Sequence, residues 1–177
     1  MKMINLFQRT KPSTRCYSLA VLIGIIGGII SAFVKSGTEE LMPPRLPGAI
    51  PPPVDLLKQM GIDVTNMVYT YSEQVVNYGG NGVHIIFSIV CAVFYGVVAE
   101  IFPKIKLWQG CLFGLIVAIG FHGIVLPVLQ LTPPAWQLPV DGLLSEFLGT
   151  LLWVWVIEIV RRDLRSRFTK KPDPEFQ

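Results

Sequence analysis

Four long stretches of the chain are almost purely apolar, and shorter polar segments separate them. They run over about residues 17–36, 83–102, 108–129 and 143–160. Each stretch contains roughly 20 residues, which as a helix is enough to cross the hydrocarbon core of a bilayer. The pattern predicts an all-α integral membrane protein, built as a bundle of four transmembrane helices over residues 17–161.

Basic residues lie mainly at one end of these stretches. Twelve of the 15 Lys and Arg residues precede the first stretch, occupy the link between the second and third, or follow the fourth. Because basic residues accumulate on the cytoplasmic side, both termini are predicted to be cytoplasmic. Residues 1–16 then form an N-terminal segment and residues 162–177 a basic tail, which we expect to be disordered from Thr169 onward.

The first loop on the opposite side, residues 37–81, is long and rich in proline. Its runs Pro43-Pro44 and Pro51-Pro52-Pro53 favour extended polyproline structure. Between them and the second stretch, helix signals occur over residues 55–60 and 65–78. We therefore predict a periplasmic loop that carries one or two short helices.

The composition agrees with a membrane location, since 51% of the 177 residues are hydrophobic and only 15% are charged. A soluble domain needs more charge on its surface. The basic and aromatic pattern of a nucleic-acid binder is missing, so we expect the lipid bilayer rather than a nucleic acid as partner. No phosphate-binding loop or nucleophile motif is found, and we expect neither a cofactor nor enzymatic activity.

Small residues recur at four-residue spacing in the predicted helices. The clearest are Gly24, Gly28, Ala92, Gly96, Gly110 and Gly114. This spacing lets helix backbones approach closely, which favours helix association in lipid. We interpret the rows as helix-packing surfaces, and they also make a homo-oligomer with closed symmetry a candidate.

Ionisable residues lie inside the apolar stretches. Counted along each helix, Lys35, His84, His122 and Glu146 all lie about 21–27 Å from the cytoplasmic edge. Charge at such a depth is costly and marks either a working site or a contact between helices. We take these four residues as candidates for an ion-responsive or proton-responsive site.

Each candidate also has a structural interpretation. Lys35 could extend toward the headgroups or pair with Glu39 or Glu40. His84 could mark a helix end, and the other two side chains could join helices by hydrogen bonds. Two histidines and a glutamate could also bind a divalent metal, but no local metal-binding spacing is present, and we expect no metal.

A second layer of charge is predicted near the cytoplasmic end of the helices. It consists of Glu100, Glu158, Arg161 and Arg162. At that depth the two carboxylates are expected to pair with Arg161, Arg162 or Lys104, which is a structural role.

Several long runs of the sequence are unusual. They read LAVLIGIIGGIISAFVKSG followed by LMPPR, HIIFSIVCAVFYGVVAEIFPKIKLWQG, LTPP, SEFLG and IEIVRRDLR. Over roughly residues 15–175 the chain resembles the YagU family of bacterial inner-membrane proteins, with a first outer loop shorter than is usual. The resemblance implies a multi-pass protein of the bacterial inner (cytoplasmic) membrane that is associated with acid-stress tolerance, and it supplies no catalytic or binding residues.

Three functions stay open. The first is a homo-oligomeric membrane protein with a pH-responsive ion or proton pathway, in which Glu146 faces the ion and His122 and His84 sense protons. The second is a non-catalytic scaffold or partner subunit that binds an envelope protein through the periplasmic loop. The third is a metal-dependent membrane enzyme built on the same three residues.

Overall fold

The computed structural model describes residues 7–42, 44–45, 48–71, 74–171 and 173–174. Pro43 and the ends of the two terminal segments, residues 1–6 and 175–177, belong to the predictions above but lie outside the described residues.

Four helices in the described part of the chain are long and apolar enough to cross a membrane, as predicted. They are α1 (Tyr17–Leu41), α3 (Tyr78–Ile101), α4 (Cys111–Val128) and α5 (Val140–Thr169). Both α1 and α5 run past the predicted ends of their apolar stretches. They do so because charged residues in their last turns, such as Glu39 and Arg165, find partners on other elements.

Helix α4 is irregular. It is α-helical over Cys111–Val117, π-helical over Ala118–Val125 and α-helical again over Leu126–Val128. The helix starts after Gly110, whose φ of +88° is a left-handed conformation that glycine adopts without strain. This explains Gly110 as a turn residue, in addition to the packing role expected from its spacing. Since π-helical segments occur often at functional sites, the one that contains His122 is of interest.

Helix α1 packs closely against both α3 and α5. A Cβ atom at Gly28 would lie 2.5 Å from the Ile89 Cα, and one at Gly24 would lie 2.6 Å from the Val93 Cα. On α3, a Cβ at Gly96 would lie 3.2 Å from the Ala20 carbonyl oxygen. The glycine rows of α1 and α3 are therefore used within the chain, and at Gly24 and Gly28 a larger residue would overlap the backbone of α3.

The apolar core lies between α3, α4 and α5. Its buried members are Ala92, Tyr95, Phe113, Trp153, Val154 and Ile157. Aromatic rings fill the space between α3 and α4, with Phe87 and Phe121 ring centroids 4.4 Å apart. Side chains rather than backbone contacts thus hold α4 to α3.

A short polar chain crosses the buried seam between α1, α3 and α5. The Ser88 hydroxyl donates to the Gly28 carbonyl over 2.7 Å, and the Trp153 indole N–H donates to the Ser88 oxygen over 2.7 Å. The Ser31 hydroxyl lies 3.1 Å from the same Ser88 oxygen. The Ser31, Ser88 and Trp153 side chains thus all have hydrogen-bond partners, and these bonds connect the three helices.

The described residues of the long loop form one helix and one pair of strands. Helix α2 (Pro52–Gln59) begins at Pro52, because proline fits the first helical turn, so this proline run is only partly extended. Strands β1 (Val68–Tyr71) and β2 (Gln74–Asn77) then form an antiparallel pair.

The predicted helix over residues 65–78 is therefore wrong, and the molecule is mostly rather than entirely α-helical. The segment is dense in β-branched and aromatic residues, which favour strands. Thr65 does not cap a helix, since its N–H donates to the Asp63 carboxylate over 2.9 Å. The capping residue is Asn77, whose side chain accepts from the Gly80 N–H over 2.8 Å and starts α3.

Candidate functional site

Charged side chains gather at both ends of the bundle. The terminal end holds the start of α1, the turn between α3 and α4 and the end of α5. The loop end holds the opposite ends of the helices, with the long loop and the connection between α4 and α5.

The loop-end cluster consists of Lys35, Glu39, Arg45, His122 and Glu146. The Lys35 Nζ lies 2.8 Å from the Glu146 Oε1 and 3.1 Å from the Glu39 Oε1. The His122 Nε2 lies 3.1 Å from the same Glu146 oxygen. On the other side, the Arg45 guanidinium lies 2.6 Å from the Glu39 Oε2. One Glu146 oxygen is thus shared by an amine from α1 and an imidazole from α4.

Burial differs across this cluster. The Lys35 side chain is 5% exposed and packs over Gly149, where a Cβ atom would lie 3.1 Å from its Nζ. Lys35 therefore points into the bundle instead of extending to the headgroups. The Glu146 and His122 side chains are 19% and 26% exposed, so they lie at the edge of the packed interior.

His84 lies near this cluster without joining it. It is partly buried and within electrostatic range of Glu39, Lys35 and Glu146. Within the ranges that the structure describes, the His84 side chain makes no hydrogen bond and no ion pair. When the histidines are neutral, the two cations and two carboxylates of the loop-end cluster balance, which leaves no carboxylate for additional positive charge.

The terminal-end cluster has two buried arginine–glutamate pairs. Arg165 holds the Glu100 carboxylate with both a 2.5 Å and a 3.0 Å bond, and Arg161 holds the Glu158 carboxylate with bonds of 2.6 and 2.9 Å. All four residues are at most 4% exposed. Each pair has the two-bond geometry that gives arginine–carboxylate contacts their strength.

Each of the two carboxylates also accepts a hydrogen bond from a further donor. The Cys16 backbone N–H donates to the Glu100 Oε2 over 2.9 Å, and the Tyr95 hydroxyl donates to the Glu158 Oε2 over 2.9 Å. The Thr10 hydroxyl donates to the Glu100 carbonyl. The bonds from Cys16 and Thr10 connect the segment before α1 to α3, and the bond from Tyr95 connects α3 to α5.

The predicted partners of this charge layer are partly wrong. Glu158 pairs with Arg161, as predicted, but Glu100 pairs with Arg165 in place of Lys104 or Arg162. Residues 161 and 165 lie one helical turn apart on the same face, whereas Arg162 is rotated away and exposed. This four-residue spacing was the signal in the sequence that could have identified Arg165.

Asp173 extends the cluster into the tail, where disorder was predicted. Its carboxylate lies 2.9 and 2.7 Å from two nitrogens of Arg161 and 2.5 Å from the Lys106 Nζ. Burial alone would raise the pKa of Asp173, but the hydrogen bonds and charges of Arg161 and Lys106 outweigh burial and hold the pKa at about 2. The prediction fails at this residue because charge pairing, which has no sequence periodicity, holds the tail.

No group of three His, Cys, Asp or Glu side chains among the described residues is arranged to hold a metal ion. His122 and Glu146 meet, but they meet around the Lys35 ammonium. The geometry therefore lends no support to a metal-dependent enzyme.

Comparison with known proteins identifies the family. A family model described as "Protein of unknown function (DUF1440)" matches residues 29–159. The chain is also 46% identical to the inner membrane protein YagU of Escherichia coli (strain K12), in an alignment of 199 residues that covers 98% of the chain and 97% of the relative. The chain belongs to the DUF1440 family.

Membership confirms the resemblance drawn from the sequence runs. Together with the four apolar helices, it makes the chain a multi-pass protein of the bacterial inner membrane. The alignment is longer than this 177-residue chain, so the E. coli relative contains residues that have no counterpart here. No solved structure matches the chain.

Proposed function

We propose that this DUF1440 protein responds to acid at the loop-end cluster and thereby contributes to acid-stress tolerance. The observation that carries the proposal is that the Lys35 Nζ and the His122 Nε2 both contact one Glu146 oxygen, at 2.8 and 3.1 Å. Histidine is the side chain whose ordinary charge change falls between about pH 5 and 8. A proton on His122 would turn this shared contact into a competition between two cations.

The charges around His122 make its protonation consequential. They come from two helices and the long loop: Lys35 and Glu39 on α1, Glu146 on α5 and Arg45, and the same four charges lie within electrostatic range of His84 on α3. With neutral histidines their sum is zero, and protonation of one or both histidines raises it to +1 or +2. A partly buried site cannot retain unpaired charge cheaply, so the contacts among α1, α4 and α5 must rearrange.

We further propose that both termini are cytoplasmic, which places the loop-end cluster toward the periplasm. The basic residues of the terminal end support this orientation. Single cysteines at the exposed positions Ile62 and Asp163, in a chain whose native cysteines are replaced by serine, would test it in whole cells. A membrane-impermeant thiol reagent should label only position 62, and labelling of position 163 alone would overturn the orientation.

An ion or proton pathway, in this proposal, forms between copies of the chain. Between the two charge clusters the chain is packed with side chains such as Trp153, Val154 and Ile157, which are at most 3% exposed. Gly24 and Gly28 of α1 and Gly96 of α3 already make contacts within the chain, whereas a Cβ atom at Gly120 on α4 would have no neighbour within 4 Å. In this proposal the copies meet along α4, which places the contact next to His122.

The test is a flux measurement on full-length protein in liposomes that contain a pH-sensitive dye. Wild type should show flux that rises when the outside is acidified, and Glu146→Gln and His122→Ala should abolish the rise while retaining a folded circular dichroism spectrum. Glu40→Gln is the matched control, because Glu40 is exposed on α1 and the substitution removes the same charge. Equal flux in wild type and in both cluster variants would refute the pathway.

A second candidate is a scaffold that binds an envelope protein through its long loop. The observation that favours it is the hairpin, which exposes apolar side chains at Val68 (43%), Tyr69 (51%) and Val75 (70%). Replacing all three by serine should then remove acid survival while leaving the helical bundle folded. Unchanged survival would contradict this candidate and leave the flux test unaffected.

A further inference from the structure

Three cations at the terminal end converge on one carboxylate from the tail. Besides the Arg161 and Lys106 contacts given above, the Arg165 Nε lies 3.7 Å from the Asp173 Oδ1. The Lys106 Nζ also donates to the Pro174 carbonyl over 2.5 Å. The side chains of Lys106, Arg161 and Arg165 are 8%, 5% and 4% exposed, so the tail covers them.

The charges of this site balance only with the tail in place. Glu100 and Glu158 neutralise two of the three cations, and their oxygens are already bonded to Arg165, Arg161, Cys16 and Tyr95. When Asp173 leaves, the Arg161 Nη1 and the Lys106 ammonium lose the carboxylate that they bond, and the Arg161 Nη2 keeps only its bond to Glu158. The open site therefore has a net charge of +1 and unfilled hydrogen-bond donors that point to one place.

The arrangement of donors matches a phosphate group. A guanidinium that offers two parallel N–H groups, with an ammonium beside it, binds carboxylates and phosphates alike. The surroundings favour an anion as well, because Arg162, Lys170 and Lys171 lie exposed at the same end of the bundle. In a protein of the inner membrane, this end of the helices meets phospholipid headgroups.

We propose that Lys106, Arg161 and Arg165 form a binding site for the phosphate of an anionic phospholipid, and that Asp173 is a tethered competitor which closes the site. A free phosphate ion has the same chemistry, and the experiment separates the two sources. Because Asp173 lies only a few residues beyond the end of α5, its short tether holds the carboxylate at a high local concentration. The lipid phosphate binds these three cations when Asp173 has left them.

The factor by which Asp173 weakens phosphate binding depends on the fraction of time that the site is open. The apparent dissociation constant of a ligand is its intrinsic value divided by the fraction of protein that can bind it. If the tail leaves the site open no more than about a tenth of the time, removing the Asp173 charge strengthens phosphate binding at least about tenfold.

Native mass spectrometry of the full-length protein in detergent measures this effect. Phosphatidylglycerol is titrated against wild type, Asp173→Asn and Asp163→Asn, with phosphatidylcholine as the zwitterionic lipid that has no net charge. Asp163→Asn is the matched control, since it makes the same charge change on an exposed pair of α5, with Asp163 and Arg167 side chains 52% and 73% exposed. We expect about tenfold tighter phosphatidylglycerol binding for Asp173→Asn alone, and a return to the wild-type value when Lys106→Gln is added.

A parallel titration with inorganic phosphate shows whether the site binds a lipid headgroup or a free phosphate ion. Tight phosphatidylglycerol binding that phosphate does not displace identifies the lipid, whereas free phosphate bound equally well with no lipid preference identifies the ion and overturns the lipid assignment. Equal phosphatidylglycerol binding by the Asp173 and Asp163 variants overturns the proposal altogether. If Asp173→Asn does not fold, a chain that ends at Thr169 removes the competitor by truncation and is held to the same comparison.

Discussion

Replacing Gly28 by alanine should separate α1 from α3. The added Cβ would lie 2.5 Å from the Ile89 Cα, 2.8 Å from the Ile89 nitrogen and 3.0 Å from the Ser88 carbonyl carbon. All three are backbone atoms, so no change of side-chain rotamer relieves the overlap. Ordinary carbon contacts are about 3.5–4.0 Å, and the two helices must therefore move apart by roughly 1 Å.

The cost of that movement has two parts. Overpacking of a tight interior costs about 1–3 kcal/mol. The Ser88 hydroxyl now donates to the Gly28 carbonyl over 2.7 Å, and a shift of roughly 1 Å exceeds the hydrogen-bond limit, which adds about 1 kcal/mol. We expect the free energy of unfolding to fall by about 2–4 kcal/mol relative to a glycine replaced without overlap.

Gly37→Ala is that reference, because it lies on the same helix and its Cβ would have no neighbour within 4 Å. Both substitutions gain the same preference of alanine for helix, so the difference between them isolates the overlap. Unfolding is followed by tryptophan fluorescence as the fraction of sodium dodecyl sulfate in mixed micelles is raised. If Gly28→Ala and Gly37→Ala unfold at the same detergent fraction, the close contact between α1 and α3 is wrong.

Three further predictions concern the buried polar groups. Glu100→Gln leaves a buried arginine without its carboxylate and should lower the free energy of unfolding by about 3–5 kcal/mol in the same assay. The exposed Asp163→Asn should change the free energy of unfolding little, and equal effects of the two substitutions would contradict the buried pair. Trp153→Phe removes the hydrogen bond to Ser88 and should cost about 1 kcal/mol, beyond lost packing, so an unchanged unfolding midpoint would exclude that bond. Since the pKa of Asp173 is held at about 2, below its usual 3.8, the stability it contributes is complete above its usual value and is lost only as the pH falls toward 2. Protease protection of the tail should therefore be the same at about pH 7 and pH 5, and release of the tail at about pH 5 would contradict the ion pairs.

The four helices could be predicted because length and hydropathy alone determine them. The spacing of small residues also indicated close helix packing. It could not tell which helices meet, because every helix carries such a row and the sequence gives no preference for one partner. In the structure, Gly24 and Gly28 pack against the backbone of α3, and this contact changes the interpretation of the small-residue rows. They explain packing within one chain and no longer argue for contact between copies.

The hairpin shows a different limit of prediction from sequence patterns. In the segment that contains it, Val68, Tyr71 and Val75 fit the helical spacing, while the run of β-branched and aromatic residues fits a strand equally well. Short segments of this kind are decided by their surroundings, here by the turn at Asp63 and the cap at Asn77. The same limit applies to the tail, where the position of Asp173 depends on cations far away in sequence.

The two clusters of charge contain different ionisable groups, and this difference separates the two proposed roles. At the terminal end, the cations are arginines and a lysine that stay charged in mild acid, and the pKa of Asp173 is held at about 2. Both histidines of the chain lie at the loop end, beside carboxylates that are already paired. In the proposed function, an acid response between about pH 5 and 8 begins at the loop end, while the charges of the proposed phosphate site at the terminal end stay the same in that range. Mutations at Asp173 should consequently change phosphate binding without moving the pH of the acid response, and mutations at His122 should move the acid response without changing phosphate binding.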